Sequence, residues 1–159
     1  MMVNTIVKKR ASKHKDMNDE PAKTVIRIVA ALVQDEQQRV LLVRKTGTQA
    51  FMQPGGKLQP SESHLAALER ELGEELGGSL RLSSAVLLGT FTAPAANEKG
   101  CFVEAALYQV ELVGSISAAS EIEEIVWLDP REPHQIELAP LTRETVLPIA
   151  TRAIRGSEH

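Results

Sequence analysis

Residues 56–78 read GKLQPSESHLAALERELGEELGG, from Gly56 to Gly78. Leu65, Leu68, Leu72 and Leu76 recur at helical spacing and Gly77-Gly78 follows as a stop, so the pattern predicts a helix over about Glu62 to Leu76. At about 100° per residue, Glu71, Glu74 and Glu75 fall within an arc of roughly 100°, centred about 110° from the leucine stripe. One flank of the helix therefore buries leucine while the adjoining flank presents three carboxylates. Like charges three and four residues apart cost a helix a few tenths of a kcal/mol per pair. Gly73, between them, costs about 1 kcal/mol relative to alanine. A divalent cation bound by carboxylate oxygens would compensate, and a solvated acidic face is the alternative reading of the same residues.

Outward from the helix, Val25 to Val33 is a near-continuous β-branched run that suits a strand buried on both faces. Asp35-Glu36-Gln37-Gln38 carries turn chemistry, and Val40 to Val43 reads as the hairpin partner of that strand. Further strands are expected over about Ala85–Thr92, Phe102–Leu112 and Ile122–Leu128. A last helix is expected to begin near Pro140, with a kink or early end at Pro148. Helices interrupting strands in mixed order indicate an α/β fold, a mixed sheet covered by helices on both sides.

The chain has 159 residues, enough for one domain of ordinary size. Residues 1–23 hold six Lys/Arg against three Asp/Glu without sustained periodicity, and are expected to form a flexible basic leader. The domain proper is expected over 24–159. There the balance is twelve basic to eighteen acidic, which argues against a protein that coats nucleic acid. The longest uninterrupted apolar run, Ile28 to Val33, is six residues, far short of a membrane span. The lone Cys101 excludes an intrachain disulfide framework, and a cytoplasmic location is the expectation.

Gly56, five residues, Glu62, seven residues, then Arg70-Glu71-Leu72-Gly73-Glu74-Glu75-Leu76-Gly77 resembles the Nudix box. One position departs: Gly78 stands where the family usually has an aliphatic residue, which concerns packing at the helix end. The resemblance implies the Nudix fold, an α/β/α sandwich, and a hydrolase in which water attacks a diphosphate linkage. It implies Mg²⁺, with Mn²⁺ as a substitute, held by Glu71, Glu74, Glu75 and a backbone carbonyl at Gly55-Gly56. Glycine there lets the main chain come close to the cation. It also implies an ion pair between Glu62 and Arg70 that braces the loop. Glu71 and Glu74 are catalytic candidates within the box. Outside it Glu98, in a polar loop ending at Gly100, is the first candidate for general base, with Glu121, Glu123 and Glu124 as others.

Arg44 and Phe51 are candidate substrate contacts, for phosphate and base respectively. Nucleoside triphosphates are the first substrate class to test; ADP-ribose or nucleotide sugars are the alternative, with Pro94 sixteen residues after Gly78 as the pointer. A non-catalytic nucleotide-binding module is a further alternative, although every box carboxylate is present. The isomerase branch is disfavoured, because His14, His64, His134 and His159 form no recognisable metal cluster. A homodimer is expected from resemblance alone.

Overall fold

The computed structural model describes residues 24–157; the leader expected over residues 1–23 lies outside them. Strand β1 (Thr24–Leu32) is followed by β2 (Val40–Lys45), β3 (Gly55–Lys57), helix α1 (His64–Leu76), β4 (Arg81–Pro94), β5 (Cys101–Val113) and β6 (Ile122–Leu128). A π-helical turn, Thr142–Val146, then runs into helix α2 (Leu147–Ser157). The strands form a mixed four-stranded sheet, β3-β1-β5-β4, and a two-stranded sheet, β2-β6. Within the larger sheet β1 and β5 run parallel, whereas β3 and β4 pair antiparallel with their neighbours.

β1 is buried on both faces over its second half, and alternate residues serve different cores. Ala30 and Leu32 join Val40, Leu42, Leu107 and the α2 residues Leu147 and Ala150. Val29, Ala31 and Val33 pack with Leu41, Val43 and the α1 residues Leu68, Leu72 and Leu76. The helices thus cover opposite faces, the layered α/β arrangement expected. Leu65 departs from the expected stripe: it is half exposed, because it lies in the first turn, before α1 reaches the sheet.

Two expectations about strands are corrected. β2 is not the hairpin partner of β1. The turn exists, with Asp35 Oδ1 accepting from the Gln37 and Arg39 N–H groups. Past the single bridge Gln34–Val40, however, β2 leaves β1 and pairs with β6, Val40 opposite Leu128. The glycine pair, which lies outside every expected strand, forms strand β3, with Gly56 opposite Val29 and Gly55 opposite Ala30.

α1 starts two residues later than expected, at His64, because Ser63 caps it by accepting from the Ala66 N–H at 3.1 Å. Pro148 does not end the last helix. It sits in the first turn of α2, where its missing N–H is tolerated, and the wider π turn before it carries the bond from the Leu147 N–H to the Thr142 carbonyl. No helix among the described residues is long and apolar enough to cross a membrane.

Candidate active site

A cleft of about 910 Å³ opens where β3 and the last two turns of α1 meet the β4–β5 loop and the segment before β6. Gly55, Gly56, Glu71, Glu74, Glu75 and Glu98 line it together. The helix brings the three glutamates to the cleft because its leucines must face the sheet, and the carboxylate flank then lies against β3. Contact with β3 is close. A Cβ on Gly56 would overlap the Glu71 carboxylate, and one on Gly55 would overlap the Val29 carbonyl. Gly55 also has φ of +146°, in the range that glycine adopts most readily.

The three carboxylates differ in environment. Glu75 is 7 % exposed, and its Oε1 accepts from the Gly55 N–H at 2.9 Å. Burial pushes its pKa up to about 7 despite that hydrogen bond and the nearby Lys45 ammonium, and the charges of Glu71 and Glu74 add to the rise. Glu71 is bound by Arg70, Nη1 to Oε1 at 2.8 Å. Glu74 is largely exposed and stands 3.8 Å from the same guanidinium nitrogen.

Glu62 lies just ahead of α1 and accepts from Arg70 Nε at 2.7 Å and Nη2 at 2.8 Å, a two-pronged pair. Arg70 Nη2 also donates to the Lys57 carbonyl at 3.0 Å, tying helix, loop and β3 together. These Arg70 bonds, with one from the Gln59 N–H, hold the Glu62 pKa at about 2.

Among the described residues, no three acidic, histidine or cysteine side chains are gathered tightly enough to hold a metal ion. The donor set nonetheless suits a hard divalent cation. It consists of oxygens alone, one of them on a carboxylate that burial leaves short of positive charge, beside main chain that lacks Cβ atoms.

Glu98 reaches the cleft as a residue of the β4–β5 loop, with Lys57 Nζ 3.3 Å from its Oε1. Glu121 also lines the cleft, whereas Glu123 and Glu124 are taken up by Arg44 at 3.0 Å each. Arg44 and Phe51 are not brought to the cleft. The Arg44 guanidinium bonds those glutamates and the Thr48 carbonyl and lies over the Phe51 ring, which is buried in the core. The neighbouring Lys45 lines the cleft instead, since adjacent strand residues point to opposite sides. Sequence reasoning also missed Gln53 and Thr142, a buried polar pair from segments 89 positions apart.

The NUDIX domain family model matches residues 24–148. This chain belongs to the Nudix hydrolase family. The CTP pyrophosphohydrolase of Escherichia coli is 31 % identical over 122 residues, covering 73 % of this chain and 84 % of that protein. A Mycobacterium tuberculosis protein provisionally named 8-oxo-dGTP diphosphatase 2 is 32 % identical over 112 residues, 65 % of this chain and 70 % of that one. Among solved structures, the E. coli ORF135 protein aligns with a TM-score of 0.65 at 27 % identity, covering 87 % of this chain and 96 % of its own. Nudix hydrolases generally use divalent metal ions, and those relatives are named for cleaving nucleotides. In this Nudix chain the box residues lie chiefly on β3, the loop after it and α1, with Glu71, Glu74 and Glu75 on the cleft side.

Proposed function

We propose that this Nudix hydrolase is a Mg²⁺-dependent pyrophosphohydrolase that cleaves the diphosphate linkage of a nucleoside diphosphate derivative, with nucleoside triphosphates as the first class. The observation that carries this reading is that one cleft is lined by carboxylates from two elements: Glu71, Glu74 and Glu75 on α1 and Glu98 on the β4–β5 loop. The name of the E. coli relative, CTP pyrophosphohydrolase, supports the choice of triphosphates.

Glu71, Glu74, Glu75 and the Gly56 carbonyl would hold the metal. When bound, Mg²⁺ offsets the charge of the diphosphate and favours ionisation of the attacking water. The protein's own residues do the rest. Glu98 takes the proton from the water whose oxygen forms the new bond to phosphorus, while the bridging P–O bond breaks and the leaving phosphate departs with its electron pair. Lys57, 3.3 Å from Glu98, keeps that loop carboxylate over the cleft. The Arg70–Glu62 pair fixes the loop between β3 and α1, so the glycine carbonyl and the helix carboxylates keep their relative positions.

A panel of nucleoside triphosphates, ADP-ribose and nucleotide sugars, assayed for phosphate and pyrophosphate release with Mg²⁺ and with Mn²⁺, tests the reading. Triphosphates should be cleaved only with a divalent ion, and Glu98→Gln should lower kcat by about a hundredfold. Cleavage of ADP-ribose with no triphosphate turned over would overturn the substrate class. Full activity in Glu98→Gln would move the base elsewhere.

A further inference from the structure

We propose that Gln53 determines base specificity, its carboxamide N–H₂ donating to an exocyclic carbonyl oxygen of the substrate's base. The inference rests on the nucleoside triphosphate reading and names a feature of that substrate.

Gln53 is 6 % exposed and lines the cleft one residue before Pro54-Gly55-Gly56. Its side chain is clamped from one side. The Thr142 hydroxyl accepts from the Gln53 backbone N–H at 3.3 Å and donates its single proton to Gln53 Oε1 at 2.6 Å. A separation of 2.6 Å falls within the O–H···O range and short of the N–H···O range, which assigns oxygen to that end of the carboxamide and the amide nitrogen to the other. Thr142 is itself fully buried in the π turn, which leaves the clamp little freedom. No fully buried side-chain nitrogen or oxygen among the described residues lacks a partner. The Gln53 amide nitrogen has no protein partner among them and therefore opens on the cleft.

Its surroundings suit a base and not a phosphate. Met52, Ile28, Val103 and Leu141 line the same cleft, and no aromatic side chain lines any of it. An apolar pocket with one oriented polar group is the usual form of a specificity site. Gln53 is two residues from Gly55, a span of about 7 Å at most, so a single nucleotide reaches both the carboxamide and the acidic wall. A pre-aimed donor with no acceptor discriminates strongly. A base that presents an amine at that point leaves two donors facing each other in a site largely shielded from water.

ITP and ATP are the decisive pair, since they exchange oxygen for an amine at C6. With Mg²⁺, the full chain should show kcat/KM for ITP at least about tenfold above that for ATP. In Gln53→Met, which keeps volume and loses the donor, that ratio should fall to within about threefold, chiefly through KM for ITP. Thr142→Val should lower the ratio in the same way, and Thr142→Ser, which restores the hydroxyl, should recover it. A purely structural role for the pair predicts equal losses on both substrates, which overturns the proposal. So does a wild-type preference for ATP, or an unchanged ratio in Gln53→Met at an unchanged Tm. Absence of hydrolysis of every triphosphate by the wild-type chain would instead overturn the substrate class on which the proposal rests.

Discussion

At the start of α1, Glu62 accepts from two Arg70 nitrogens and the Gln59 N–H, and its pKa is held at about 2. In the last turn of the same helix, Glu75 is buried with one backbone N–H for company, and its pKa rises to about 7. The first carboxylate is fully compensated by the polypeptide. The second is placed where burial penalises its charge by more than the Gly55 N–H and the Lys45 ammonium offset. A compensated carboxylate and an uncompensated one are therefore distinguished by the partners the fold supplies, although both belong to one short motif.

The most severe way to break this comparison is Glu75→Gln. Turnover with Mg²⁺ should fall by about 10²–10³-fold, while the metal-free protein at pH 8 should melt at a higher temperature than wild type, because a buried charge is removed. Calorimetry alongside the activity assay checks both. Retained Mg²⁺-dependent turnover would sink the metal role.

The pH dependence sharpens the same contrast. The folded pKa of Glu75 lies above its ordinary value of 4.5, so its contribution to stability is present below pH 4.5 and is lost as pH rises through about 7. A shift of that size corresponds to about 3 kcal/mol. Metal-free protein should thus lose Tm between pH 5 and 8, Mg²⁺ should flatten the curve, and Glu75→Gln should abolish the slope. Glu62 has the opposite sign: its contribution is present above pH 4.5 and is lost as pH falls through about 2, below that window. A metal-free Tm that stays level from pH 5 to 8 would contradict the assignment of Glu75 as uncompensated.

The smallest effect concerns the residue among the glutamates. A Cβ on Gly73 would meet nothing within 4 Å. Gly73→Ala should therefore stabilise α1 by about 1 kcal/mol, read as a higher midpoint in urea with an unchanged slope. Destabilisation would show that crowding, and not helix propensity, governs this flank.

The helix and its carboxylates were legible in the sequence because their relation is local: spacings of three and four residues on a helix define a face whatever surrounds it. The assignment of strands to sheets was not legible in that way. β1 and β2 are apolar on both faces and joined by good turn chemistry, so nothing local says that β2 prefers β6. Arg44 was misplaced for the same reason, since its partners Glu123 and Glu124 belong to β6 and become neighbours only through that pairing. Gln53 and Thr142 lay beyond sequence reasoning altogether. Neither residue type is unusual in a loop or helix, and their meeting depends on closure of the whole domain.

The two-faced burial of β1 has a consequence for uniqueness of the fold. A strand with one apolar face resists slippage, since a shift by one residue would expose that face; a strand apolar on both sides lacks this safeguard. The neighbouring glycines supply it by steric room. Gly55 is the residue the Val29 carbonyl can approach, and Gly56 is the one the Glu71 carboxylate can approach. The observed alignment of β3 on β1 satisfies both. Alignment of the sheet edge and placement of the Glu71 carboxylate are thus a single specification, written in two residues that have no side chain.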